Sequence, residues 1–413
     1  RIYFMENYWL SWDEVNQRSY NKKLIFFGRS EDWIPKTIKK LNQTPAYIVD
    51  NNIAVQGKTY MNIEVKNPDC LKDEKTSDIF IVITTGSYHE IVDSLKSNGF
   101  ISGENFCNCP EYRDWYVLEE MRSYKSELFI ASSDYEKFKH AKRSSKKGGG
   151  IYKYTLGENI VQKVAKGSFR QMIQIGDNVY ALEFVKRKLI KFDLNFNQIE
   201  QIPLDSAQYC GLTFNKKRNY IIMANSSSDI ITIMDGKDYK IINQINFSNK
   251  HSKTKGSSFH HINDLACTDD YLYVSYFSQS GNWRNGIFDG GISEYHLDEM
   301  HEKPVQVVDN LWKPHSVSFI QGDLSFVDSM TGNYYINSKN IAATFQGFIR
   351  GIEYDNKFIY IGQSETMYVS ELFGIKDNIM LNAGFYIFNK DKRASRFYPL
   401  LDIMNIHDLL IIK

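Results

Sequence analysis

From Leu128 to Lys413 short apolar runs bounded by Asn, Asp, Gly and Ser follow one another, and one unit recurs six times. Each unit opens on a polar residue, a small or flexible residue and an apolar residue, followed by turn residues and further strand-like runs. Gln171-Met172-Ile173 leads to NVYALE and KLIKFDL, and Cys210-Gly211-Leu212 to NYIIMANS and IITIMD. Asn263-Asp264-Leu265, His315-Ser316-Val317 and Arg350-Gly351-Ile352 open three more units, and His407-Asp408-Leu409 opens a sixth that stops at LLIIK. The strands missing from the sixth are supplied by LFIASS (128–133) and GIYKYTL (150–156) at the start of the region. A chain whose first strands complete its last unit describes a closed ring, and closure removes exposed sheet edges. With about 48 residues per unit, the spacing predicts an all-β six-bladed propeller.

In such a ring the innermost strands surround the axis, so equivalent positions meet. Gln171, Cys210, Asn263, His315, Arg350 and His407 form one predicted ring. Two residues earlier, on the same strand face, stand Phe169, Gln208, His261, Lys313, Phe348 and Asn405. The candidate catalytic residues are therefore His261, His315 and His407, together with Asp264. Asp264 and Asp408 are placed to orient an imidazole. Gln171, Asn263, Lys313 and Arg350 are candidate substrate ligands, joined by Trp283 and Arg284 from the insertion SQSGNWRNGIFDGG.

Two chemistries are open. The three histidines as neutral imidazoles are candidate ligands for a divalent metal. Without metal, a histidine serves as acid or base because its pKa lies near working pH. Arg350 and Lys313 then hold a carboxylate or phosphate, arginine with a two-pronged grip. A water-filled structural channel is the plainer alternative. A second insertion, SETMYVSELFGIKDNIMLNAG, adds Tyr368, Glu371 and Phe373, and the basic stretch KFKHAKRSSKKGGG reads as a solvated loop.

Several of these motifs carry a family resemblance. His261-Ile262-Asn263-Asp264-Leu265-Ala266, Gly281-Asn282-Trp283-Arg284, Gly290-Gly291-Ile292, Pro314-His315-Ser316, Asp328-Ser329-Met330-Thr331-Gly332 and Arg350-Gly351-Ile352 resemble an uncharacterised bacterial propeller family, a domain of unknown function. Asp264 stands where that pattern has glycine. More distantly, the architecture is similar to gluconolactonase-like propellers, which hold an axial divalent cation with Asn, Asp and Glu and open lactones. This chain has His and Arg in place of those acids, so their metal site does not transfer.

The first hundred residues follow a different grammar. KKLIFFG, DWIPKTIKKL, AYIVDNN, DIFIVITTGS and YHEIVDSLKSNGF alternate strand and helix, which predicts a small parallel-sheet half-Rossmann α/β domain over 1–109. A polar connector over 110–127 joins it to the propeller, 128–413. Candidate nucleotide-binding residues fall at the carboxyl ends of the strands: Gly28, Arg29, Ser30, Asp50, Asn51, Thr85 and Gly86. Asp50 lies 22 residues after Gly28, where a ribose-binding acid falls. The G-x-G-x-x-G fingerprint is missing, and Glu31 and Asp32 occupy the place of a pyrophosphate, so a purely structural sheet is the competing reading. AYIVDNN and DIFIVITTGSYHEIVDSLKSNGF resemble the small sugar-nucleotide-type domain of bacterial surface-polysaccharide enzymes.

Fifty basic and 49 acidic residues give a net charge of +1, which offers nucleic acid no attraction. No apolar run is long enough to span a bilayer and no signal peptide is visible. Five cysteines in no zinc-module spacing predict reduced thiols, and with them a cytoplasmic protein. The expectation is an enzyme acting on an anionic sugar or nucleotide sugar in surface-glycan synthesis, by epimerisation, elimination or hydrolysis. The rival is a non-catalytic propeller that recognises a glycan precursor or a protein. Oligomeric state is left open.

Overall fold

The computed structural model describes residues 10–134, 148–206, 208–250, 258–365, 382–401 and 403–413. Tyr368, Glu371 and Phe373, and the basic stretch up to Lys147, lie outside them. The chain divides into two compact units, Arg1–Glu120 and Met121–Lys413.

The first unit opens on helix α1 (Trp12–Ser19), which the strand-and-helix pattern misses. Its signal is local: Ser11 Oγ accepts the Glu14 amide while Glu14 reaches back to the Ser11 amide, a reciprocal cap. There follow β1 (Lys23–Phe27), α2 (Trp33–Ile38), β2 (Tyr47–Val49), β3 (Thr59–Tyr60), β4 (Ile63–Lys66), β5 (Ile79–Ile83), α3 (Tyr88–Ser97) and β6 (Phe106–Asn108), and then α4 (Arg113–Ser123), within which the division between the units falls. The sheet runs β3-β4-β2-β1-β5-β6. It is mixed rather than wholly parallel: β3 pairs antiparallel with β4, while β4, β2, β1, β5 and β6 are parallel neighbours. The hairpin edge leaves no mark in the sequence pattern because β3 is two residues long and largely exposed. Strand β5 is buried throughout, as a central parallel strand must be.

The second unit consists of six four-stranded antiparallel sheets, the six blades of a propeller. Their innermost strands are Phe169–Ile175, Tyr209–Asn215, Ile262–Cys267, Pro314–Ile320, Phe348–Tyr354 and Ile406–Leu410, which we number blades 1 to 6. Blade 6 closes the ring: Ile406–Leu410 pairs with Glu127–Ser132, followed outward by Gly150–Thr155 and Ile160–Lys166. The fourth, outermost strands, such as Gln198–Pro203 and Ile241–Asn246, lie beyond the three-strand unit that the sequence predicts. Both are mostly exposed, with their isoleucines set among Gln, Glu and Asn, so their apolar signal is weaker than that of the inner three.

Every inner strand carries a register irregularity near its start. The shifts fall at Phe169/Met172, Tyr209/Gly211, Ile262/Leu265, His315/Ser318, Ile349/Ile352 and Ile406/Asp408. A bulge re-aims successive side chains that a regular strand would place on opposite faces. Six bulges at one level therefore give two layers.

The second residue of each bulge region meets the next blade. Gln171 Oε1 accepts the Leu212 amide, and Asp264 Oδ2 accepts the Ser316 amide. Ser316 Oγ accepts the Gly351 amide at 2.7 Å, and Asp408 Oδ2 accepts the Met172 amide at 2.8 Å. The remaining two positions are glycines. A Cβ on Gly211 would meet the Asn263 carbonyl at 2.2 Å; Gly351 has φ +82° and presses on Leu409. Gln171, Asp264 and Asp408 are thus staples between blades, not members of the ring of side chains above them. Among the described residues no helix is long and apolar enough to cross a membrane.

Candidate functional site

The first residue of each bulge region turns into a cavity of about 360 Å³ at one mouth of the propeller. These are Arg170, Cys210, Asn263, His315, Arg350 and His407. Gln171, predicted for blade 1, is replaced by Arg170, because the predicted register takes Ile173 rather than Met172 as the apolar third position and so starts blade 1 one residue late. Above them stand Gln208, His261, Lys313, Phe348 and Asn405; Phe169 is instead fully buried in the core. Gln208, His261 and Lys313 immediately precede their strands and hold left-handed backbone, with φ of +71°, +53° and +62°. Non-glycine residues are held there only where the surroundings fix them.

Of the adjacent histidines His260 and His261, only one reaches the cavity. His260 is buried between Ser248 Oγ, 2.7 Å from Nε2, and the Ser278 carbonyl, 2.8 Å from Nδ1. His261 packs against Phe277 and Trp283, ring centroids 4.4 and 4.5 Å away, and its Nδ1 has no partner among the described residues. Trp283 is held by its indole N–H on the Ser258 carbonyl. Arg284 is exposed and lies over the Trp283 ring rather than lining the cavity.

His315 is fixed by a chain of donors. Nδ1 lies 2.9 Å from the Lys313 carbonyl and 2.7 Å from Ser329 Oγ, whose hydroxyl donates onward to the Ile349 carbonyl. A carbonyl only accepts, so Nδ1 carries the hydrogen and Nε2 keeps its lone pair. His407 sits between two guanidiniums: Arg170 Nη1 is 3.3 Å from Nδ1, and Arg350 Nη1 is 3.1 Å from Nδ1 and 3.2 Å from Nε2. Arg350 is 4% exposed and donates through Nη2 to Ser364 Oγ at 2.8 Å. Its guanidinium lies 5.2 Å from the Phe348 ring, that of Arg170 lies 4.2 Å from Phe184, and Lys313 Nζ lies 4.5 Å from Phe288.

The electrostatics are one-signed. Arg170, Lys313 and Arg350 line the cavity, and no Asp or Glu does among the described residues. Burial, aided by Arg170, Lys313 and Arg284, pushes His261 down to about 3. Burial, then Arg350, holds His315 well below the usual histidine range. Both are neutral at pH 7. Beneath them burial raises Asp264 to about 6, against the pull of the Ser316 amide, Arg350 and Arg170. Asp408 is pushed well above the ordinary carboxylate range by burial, with Asp264 adding to it.

These shifts have a signed consequence. A histidine with a depressed folded-state pKa contributes stability above its unfolded value of about 6.5, and loses it as pH falls toward the folded value. Asp264 and Asp328, raised by burial to about 6 and about 7, act in the opposite sense, favouring the fold as pH falls toward 4. The whole-protein slope therefore mixes both, and a substitution isolates one. His261→Gln is expected to gain on the parent protein as pH falls from 6.5 to 4.5, by up to about 1.4 kcal/mol per unit. Urea midpoints at several pH values measure this; parallel curves contradict it.

The donor set does not suit a metal. Among the described residues no group of three or more His, Cys, Asp or Glu is arranged to hold an ion. Two guanidiniums flank His407, a poor neighbourhood for a divalent cation. Of the two chemistries left open by the sequence, the metal-free one suits this charge distribution better than a His261–His315–His407 ligand set. All five cysteines are free thiols; Cys210 lies at the mouth, its Sγ 3.2 Å from Ser226 Oγ.

In the first unit the predicted nucleotide-binding residues do gather at the ends of β1, β2 and β5, but they are engaged with one another. Asp50 accepts the Arg29 amide at 2.6 Å and the Asn52 amide at 2.7 Å, and Arg29 pairs with Glu31 at 2.9 Å. Ser30 Oγ receives the Trp33 amide at the start of α2. A Cβ on Gly28 would lie 2.6 Å from Thr85, and one on Gly86 2.8 Å from Trp115, so no gap separates these loops from their neighbours. Asn51 is exposed.

No protein-family model matches this chain, and no curated protein does. Two solved structures align with this chain at low identity. A nidogen/laminin complex has a chain that aligns at TM-score 0.47 and 10% identity, covering 69% of this chain and 97% of that one. A putative 6-phosphogluconolactonase from Bacteroides fragilis aligns at 0.45 and 14%, covering 70% and 98%. The bacterial-family and polysaccharide likenesses therefore rest on the sequence motifs alone.

Proposed function

We propose that the propeller mouth binds a small anionic sugar and that His315 acts on it as a base. The observation that carries this reading is the lining: the guanidiniums of Arg170 and Arg350 with Lys313 beside them, no acid among the described residues, and aromatic faces at Phe277, Phe348 and Trp283. Cations hold the charged group, and aromatic faces take the apolar face of a sugar ring. Asn263, whose amide no described residue engages, offers hydrogen bonds to hydroxyls.

His315 Nε2 is a lone-pair nitrogen on an imidazole whose other side is fixed, the arrangement a general base requires. An anion seated beside Arg350 offsets part of the field that depresses His315, which brings its pKa closer to the working range. The chemistry this suits is proton transfer at a sugar carbon or hydroxyl, as in epimerisation, elimination or lactone hydrolysis. A role in bacterial surface-glycan synthesis, and nucleotide binding by the first unit in support of it, belong to the same proposal. The first unit's parallel strands, β4-β2-β1-β5-β6, have the order of a doubly wound nucleotide-binding sheet.

The test is a thermal-shift panel of sugar acids, sugar phosphates, sugar lactones and the matching neutral sugars on the full chain. Anionic members are expected to raise the melting point, by the mass-action stabilisation of a ligand that binds only the folded state. His315→Gln is expected to keep that rise and to lose any turnover, by about 10²–10⁴-fold. Equal shifts from neutral and anionic sugars, or turnover unchanged in His315→Gln, would overturn the reading.

A further inference from the structure

The anion-binding reading leaves the anionic group itself unspecified, and the lower ring of the cavity narrows it. Arg170 from blade 1 and Arg350 from blade 5 both reach the same nitrogen of His407 from blade 6, at 3.3 and 3.1 Å. Their Nη1 atoms are therefore no farther apart than the sum of those distances. Arg170 forms no ion pair among the described residues, and its buried Nε has no hydrogen-bond partner. Asp264, in the layer beneath, is a nearby counter-charge, but its carboxylate is turned to the Ser316 amide.

Two guanidiniums side by side repel each other unless an anion joins them. A carboxylate is planar, carries one charge and is satisfied by a single guanidinium fork. Two full charges from two blades converge on the imidazole of a third, so their donors face the same side of the cavity. That arrangement matches a tetrahedral dianion. Lys313, on the upper ring, is left to the remainder of the molecule.

We propose that Arg170, Arg350 and His407 form a grip for a phosphoryl monoester, so that the substrate class of the mouth is a sugar phosphate. The proposal rests on the anion-binding reading and specifies it. Arg170, which the sequence register passes over, supplies half of the grip.

The experiment is calorimetric titration of the full chain, at constant ionic strength, with inorganic phosphate, sulfate, acetate, glucuronate and glucose 6-phosphate. Phosphate is expected to bind at least about tenfold more tightly than acetate, and glucose 6-phosphate more tightly than glucuronate. Arg170→Gln is expected to lose at least about tenfold in phosphate affinity, and Arg170→Lys to lose affinity too, because a point charge lacks the fork. A second readout needs no variant. The ratio of phosphate to sulfate affinity is expected to rise between pH 5.5 and 7.5, as phosphate becomes a dianion while sulfate already is one. Acetate or glucuronate binding as tightly as its phosphorylated counterpart, an unchanged Arg170→Gln, or a flat ratio would overturn the grip. Glucuronate binding with phosphate silent removes the grip and leaves the anion reading standing; no binding by any of these anions removes both.

Discussion

A chain ending at Asn405 is expected to lose cooperative unfolding of its propeller. The eight residues removed contain the innermost strand of blade 6, Ile406–Leu410, whose partner Glu127–Ser132 comes from the other end of the propeller sequence. Ile406, Leu409 and Leu410 are buried, and each contributes about 1.5–3 kcal/mol by burial. Asp408 Oδ2 leaves with them, stripping the Met172 amide of its acceptor, as does the Ile406 carbonyl that takes the Ser364 hydroxyl. A buried donor without a partner costs about 1–3 kcal/mol. Together these losses rival the whole stability of an ordinary domain, about 5–15 kcal/mol. The cut also opens the ring and exposes a sheet edge. Urea unfolding followed by fluorescence and circular dichroism measures the effect. A truncated chain that unfolds in one sharp transition near the parent midpoint would show that blade 6 is not closed in this way.

Arg350→Met is expected to have the opposite profile, a large loss of binding with little loss of stability. Methionine fills a similar volume and carries no charge. Ser364, which receives the Arg350 Nη2 hydrogen bond, keeps its links to the Ile406 amide and carbonyl, so no buried hydroxyl is orphaned. Burying a charge is costly, and the apolar replacement removes that cost. Affinity for the anionic ligand is expected to fall by about a hundredfold or more, since a desolvated charge contact is lost outright. His315 should titrate at higher pH in the variant, because Arg350 is the largest depressing influence on it after burial. Anion affinity within about twofold of the parent would contradict the site.

Much of this geometry is legible in the order of the amino acids. The six-fold unit, its closure through the final strand, and the meeting of Cys210, Asn263, His315, Arg350 and His407 follow from spacing alone. What spacing does not convey is the bulge. A regular strand sends neighbours to opposite faces, whereas the irregularities seen here send Asn263 into the cavity and Asp264 to the Ser316 amide of the next blade. A register without bulges therefore counts Asp264 and Asp408 as site residues although they are staples. The predicted register also takes Ile173 as the third position of blade 1 and so starts it one residue late, with Gln171 in the position of Arg170. Aligning the apolar third position, Met172 rather than Ile173 with Leu212, Leu265, Val317, Ile352 and Leu409, brings Arg170 into step with Cys210, Asn263, His315, Arg350 and His407 and Gln171 into step with the staples. The outer strands and the β3 edge are harder to see for a different reason: most of their side chains are in solvent, so their few apolar residues form no buried run.

The most direct measurement is the imidazole ¹⁵N spectrum of the full chain at pH 7, before and after saturation with glucose 6-phosphate or glucuronate. His315 is predicted to be neutral with its hydrogen on Nδ1, and the resonances of His261 and His315 to move on adding the anion. Those of His260, enclosed by Ser248 and Ser278, should stay in place. A protonated His315, a hydrogen on Nε2, or a spectrum unmoved by either anion would contradict the account.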